Sequence, residues 1–286
     1  MSTRSVRPSG QQAEAYFKIA AALLLTFMAV LAGGAALRES VTVDEVAHIG
    51  AGLSYLQKLD LRLNEEHPPL PKIWAAIPLV LRGTRADYSQ ISWTFSERSF
   101  FGAYLGQWVF GGWVLNRWND PVSTLAWARF PMLLLALALG WSIFVIGSRL
   151  GGNWGGLLCL GVYASMPVFL AFGPLVHTDI PVTLFTLLAL WTFAEIWREP
   201  TSKKAFLLGL CLAGALLAKF TSGILFFRFW NFCLHDALVA GSGTTRHQAR
   251  KAHLEAPTLE GDSKRNRVGF GFYLRLLFYF FDSSNN

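Results

Sequence analysis

The chain has 286 residues, of which 53% are hydrophobic and only 15% charged. That balance excludes an ordinary soluble domain and points to helices packed in a bilayer. The net charge of +7 does not indicate a nucleic-acid partner, because much of it lies in the N-terminal arm, the tail and short loops, where membrane proteins face anionic lipid and the cytoplasm.

The 23 Phe and 11 Trp suit lipid-facing helices with aromatic belts. Cys159 and Cys211 fall inside apolar runs and Cys233 lies beyond them. No pair has metal-ligand spacing, so neither a disulfide framework nor a cysteine metal site is indicated.

The first apolar segment, residues 17–37, has the length of a span. The small residues Ala32, Gly33, Gly34, Ala35 and Ala36 resemble a cleavage site, but an apolar stretch this long favours an uncleaved anchor. A long loop follows, residues 38–128. Within it, residues 74–81 are too short to span and carry Pro78, and Pro68, Pro69 and Pro71 introduce them in extended form. Residues 100–115 are apolar and aromatic but interrupted by glycines and Gln107, and they are expected to form a surface helix. Further spans are expected over residues 129–147, 154–172, 175–197 and 205–227. The fold class expected is an all-α integral membrane protein with surface helices in its first loop.

Orientation follows from short basic segments. Arg4, Arg7 and Lys18 precede the first span, Arg149 lies between the second and third, and Lys203 and Lys204 lie between the fourth and fifth. The positive-inside rule puts these in the cytoplasm and the 38–128 loop outside.

Chemistry-bearing residues gather on the outer side. Asp44, Glu45 and His48 follow the first span, and Glu66 and His67 precede a proline pair. His48 stands four residues after Asp44, so a helix there places both on one face. His177 and Asp179 open the fourth span at the same leaflet, where Asp179 also suits an ordinary helix N-terminus. Lys219 lies in the outer half of the fifth span, suited either to snorkelling or to binding a phosphate as a compact cation. Carboxylates and imidazoles of this kind can hold a divalent cation, with Glu66 and Asp179 as candidate ligands, although no HExxH-type spacing is present.

These residues resemble motifs of the polyprenyl-phosphate-dependent membrane glycosyltransferases of the GT-C superfamily. The nearest likeness is to the bacterial branch related to protein O-mannosyltransferases and to the aminoarabinose transferases that modify lipid A. The matching pieces are Thr42 to His48 with Gly52 to Tyr55, then Leu63 to Lys72, Asn119-Asp120-Pro121, Ala128 to Pro131, His177 to Pro181, and Leu217 to Thr221. The resemblance implies a multi-helix fold with its site at the outer face of the cytoplasmic membrane. It implies a polyprenyl-phosphate-linked sugar donor and an acceptor lipid or protein, with Asp44 as the base and Glu45 beside it. Glu66 and Asp179 would build the acceptor and metal region, with His67 standing where some members have lysine.

Typical members are longer, so the resemblance implies an N-terminal part of such an enzyme over residues 1–227. Residues 228–286 are expected to be an atypical tail, polar and disordered over 246–267. A non-catalytic lipid-carrier binding or transport component, or an inactive truncated remnant, remains an alternative reading.

Overall fold

The computed structural model describes residues 10–95 and 100–241, and every regular element among them is helical. Three of these helices are long and apolar enough to cross a membrane by length and composition. This is an all-α architecture of membrane type. Arg4, Arg7 and the tail beyond residue 241 lie outside the described residues.

The first span is α1 (Gly10–Ala36). The segment that follows folds into α2 (Val43–Lys58), α3 (Leu70–Leu81), the single turn α4 (Ile91–Thr94) and α5 (Phe100–Asn116). Helix α2 starts with a capping box, in which Thr42 is the N-cap and Glu45 reaches back to the Thr42 amide at 2.9 Å.

Helix α5, expected as an aromatic surface helix, packs one of its faces tightly on α2. Gly50 and Gly111 meet so closely that a Cβ on Gly50 would lie 2.6 Å from the Gly111 Cα, and one on Gly111 would strike the Val46 carbonyl. The close approach buries Gln107, Phe110, Val114 and Leu115. On another face of α2, a Cβ at Gly52 would strike the Lys72 carbonyl, so α3 is equally tight against it. Trp74 of α3 donates to the Pro131 carbonyl at 3.0 Å, fixing α3 to the next long helix.

That helix, α6 (Pro121–Ser165), begins at the Asp120 N-cap, which accepts from the Ser123 amide at 2.7 Å. It is a hairpin rather than one rod. Gly151 and Gly152 leave helical geometry, Gly152 at φ 70°, and the arms fold back so that Gly147 faces Gly156 and Tyr163 donates to the Ala136 carbonyl at 2.9 Å. Glycine supplies the left-handed turn without steric cost. The turn falls within the short basic segment expected between two spans.

Two expected spans are interrupted. The third ends at Ser165, and Pro167 opens the short α7 (Pro167–Phe172). Helix α8 (Asp179–Arg198) is a continuous span. The fifth is broken: α9 (Ser202–Ala218) stops at Lys219, which is extended at φ −155° and ψ 125°, before a 3-10 turn (Phe220–Gly223) and α10 (Ile224–Gly241). The break lets Lys219 turn to an acidic partner on α8 instead of lying along a helix in lipid. Helix α10 runs across the boundary expected at residue 227.

Candidate active site

Asp44 and Glu45, equals in sequence, have opposite environments. Glu45 is fully buried. Arg129 of α6 donates to Glu45 Oε1 from Nε at 2.8 Å and to Oε2 from Nη2 at 2.7 Å. The Val176 amide is a second donor to Oε1 at 3.1 Å, and the Thr42 hydroxyl donates to Oε2 at 3.0 Å. Burial works against ionisation of Glu45, but these donors outweigh it and keep its carboxyl below the ordinary range.

Arg129 spends its remaining N–H groups on the carbonyls of Ala36, Glu39 and Ser40 at 2.6, 3.0 and 2.9 Å. One guanidinium thus joins the end of α1, the start of α2 and, through Glu45, the segment before α8. Glu45 was expected as a catalytic residue; the structure buries it against Arg129, out of reach of solvent. The sequence did carry a sign of this, because Thr42-x-x-Glu45 is a capping-box pattern.

Asp44 points the other way. Its side chain is 54% exposed, and its Oδ2 stands 3.7 Å from His177 Nδ1. His48, on the same face of α2, is buried and hydrogen-bonds through Nδ1 to the Val176 carbonyl at 2.8 Å. A carbonyl only accepts, so Nδ1 carries the proton and Nε2 is left as an acceptor. The His48 ring lies edge-on to His67 at 5.3 Å and to His177 at 6.3 Å. Burial lowers the His48 imidazole to about 4, against the pull of the Val176 carbonyl, with Lys72, His67 and His177 adding to the burial.

His67 shows how closely the cluster is drawn. Burial lowers its imidazole; Glu66 and Asp44 oppose that, while Lys72 and Lys219 reinforce it. Four charged side chains from separated parts of the chain therefore act on His67. At its edge Lys219 Nζ donates to Asp179 Oδ1 at 2.7 Å, with the two side chains 35% and 65% exposed. A groove of about 300 Å³ is lined by Val182, Thr186 and Leu190 of α8 and by Thr221, Leu225 and Arg228.

Lys72 and Gln107 are site-supporting residues that sequence reasoning passed over. Lys72 is fully buried, and burial pushes its ammonium down to about 7 while Glu66 pulls the other way. A lone lysine after a proline motif and a lone glutamine in an apolar helix look alike whether solvated or buried; only the α2–α5 contact separates the two cases. Glu66 itself is exposed and held by Gln107 Nε2 at 2.8 Å.

The candidate ligands of the expected divalent cation each have one carboxylate oxygen engaged. Glu66 Oε1 is taken by Gln107 and Asp179 Oδ1 by Lys219. Among the described residues no group of three His, Cys, Asp or Glu side chains is placed to hold a metal ion.

The family model of dolichyl-phosphate-mannose-protein mannosyltransferase matches residues 122–256, just under half of the chain. The match supports membership of the GT-C glycosyltransferase superfamily and a glycosyltransferase-like enzyme of the membrane. It takes in Arg129, His177, Asp179 and Lys219, whereas Asp44 to Lys72 precede it. No curated protein and no solved structure matches the chain.

Proposed function

We propose that the chain transfers a sugar from a polyprenyl-phosphate carrier to an acceptor hydroxyl or amine at the outer face of the cytoplasmic membrane, with Asp44 as the general base. The observation that carries this reading is the placement of an exposed Asp44 carboxylate on a rigid buried base, 3.7 Å from His177. The Arg129–Glu45 clamp beneath it fixes the backbone on both sides.

The Asp44 carboxylate takes the proton from the acceptor as its oxygen or nitrogen attacks the anomeric carbon. The bond from that carbon to the phosphate oxygen breaks, and the polyprenyl phosphate leaves with the electron pair. A single displacement inverts the anomeric centre. Lys219 stands where a cation can offset the charge growing on the departing phosphate, exchanging Asp179 for the phosphate oxygens. The groove between α8 and α10 is open to an isoprenoid chain, since Val182, Leu190 and Leu225 line it. Glu45 is a positioning residue in this scheme, and Glu66 contacts the sugar or the acceptor.

The test is transfer of a labelled sugar from a polyprenyl-phosphate donor by the chain in liposomes, with topology read in parallel. Val43→Cys and Phe172→Cys, in a background without the native cysteines, are expected to react with an impermeant thiol reagent from the same, outer side. Labelling from opposite sides would separate Asp44 from Asp179 and end the shared-site reading.

A further inference from the structure

Glu66 is exposed, yet its carboxylate is not left to a flexible loop. Gln107, fully buried on α5, donates to Glu66 Oε1 at 2.8 Å. Gln107 Oε1 accepts from Asn64 Nδ2 at 2.6 Å. Asn64 Oδ1 accepts in turn from Lys72 Nζ at 2.9 Å. The two ends fix every direction in this chain, because an ammonium only donates and a carboxylate only accepts, so neither amide can flip without breaking it.

The donor end is itself locked. Lys72 Nζ also donates to the Asn64 and His67 carbonyls, each at 2.6 Å, and to the Tyr55 hydroxyl at 2.8 Å. Tyr55 donates its own hydroxyl hydrogen bond to the Leu63 carbonyl. Asn64 sits at φ 56°, a left-handed backbone that asparagine tolerates better than most residues. Four acceptors around Nζ call for all three hydrogens of the protonated amine.

We propose that Lys72, Asn64 and Gln107 form a positioning relay that aims Glu66 into the site as a hydrogen-bond acceptor. The relay joins α3, the loop before it and α5, so the buried helix next to α2 supplies the group that orients an exposed one. What Glu66 then contacts rests on the transferase reading: its Oε2, which has no partner among the described residues, accepts from a hydroxyl of the bound sugar or acceptor. The relay itself does not rest on that reading.

Gln107→Glu tests it, because two carboxylates then stand where an amide met a carboxylate, and they must share a proton. In nanodiscs at pH 6, below the value of about 7 at which Lys72 gives up its proton, Q107E is expected to show a protonated-carboxyl infrared band that the wild type lacks and that the double variant E66Q/Q107E loses. In the transfer assay the acid limb of the Q107E pH profile is expected to move up by about 1–3 pH units. Q107L is expected to lower kcat about tenfold without moving that limb. A Q107E protein without the shared-proton band overturns the relay; one with the band but an unmoved pH profile overturns the contact assigned to Glu66 Oε2. A wild type that transfers no sugar sinks the transferase reading instead, and the infrared measurement still decides the relay.

Discussion

Arg129 holds both carboxylate oxygens of Glu45, at 2.8 and 2.7 Å, with both side chains removed from solvent. The remaining guanidinium hydrogens cap the end of α1. Removing one partner of such a pair leaves a charge buried without compensation, at a cost of about 3–5 kcal/mol. Glu45→Gln and Arg129→Leu are therefore expected to lower the melting temperature sharply, and Arg129→Lys to recover little, since a point ammonium cannot replace a planar fork. Thermal unfolding in detergent checks this; a near-native melting point for Arg129→Leu would contradict the clamp.

The Lys219–Asp179 pair predicts the reverse pattern. Both side chains are substantially exposed, so the pair contributes within about 1 kcal/mol to stability. Lys219→Met is expected to melt like the wild type while raising KM for the polyprenyl-phosphate donor about tenfold, the loss of one charge-assisted hydrogen bond. An unchanged KM would reduce Lys219 to a snorkelling side chain.

Much of this arrangement was legible in the sequence, and the exceptions have physical causes. Hydrophobic length located α1, the α6 hairpin and α8, and the Asp44, Glu66 and Asp179 positions stood out as charges beside a membrane. Composition alone did not show the break at Lys219, because a run such as Leu216-Leu217-Ala218 continues equally well into a helix or an extended residue; the pairing with Asp179 decides it. Likewise nothing local tells Asp44 from Glu45. The distinction comes from Arg129, 84 residues away from Glu45 in sequence, and Gln107 became meaningful only once Gly50 and Gly111 brought α5 against α2.

His48 gives the structure a defined acid sensitivity. Its imidazole lies at about 4 in the folded chain against an ordinary 6.5. Between those values the unfolded chain binds a proton that the folded chain refuses. Stability is therefore complete above pH 6.5 and is lost as pH falls towards 4, by up to about 3 kcal/mol. Melting curves from pH 7.5 to 4 are expected to show this slope in the wild type and a flatter one in His48→Gln, which keeps an amide donor for the Val176 carbonyl. Equal slopes would contradict the assignment.

The donor arrangement around Glu66 and Asp179 also predicts the effect of chelation. With Lys219 supplying the charge at the phosphate, transfer is expected to be unchanged after EDTA treatment and unchanged on adding back Mg²⁺ or Mn²⁺. A loss on chelation that either ion restores would bring a metal back into the site.

The central claim is that Asp44 removes the acceptor proton. Its most direct test is sugar transfer from a labelled polyprenyl-phosphate donor by Asp44→Asn, compared with the wild type at equal folded protein. The account predicts a fall of about 10²–10⁴-fold with an unaltered melting temperature, since Asp44 is exposed and Glu45 carries the structural load. Transfer at the wild-type rate would contradict it.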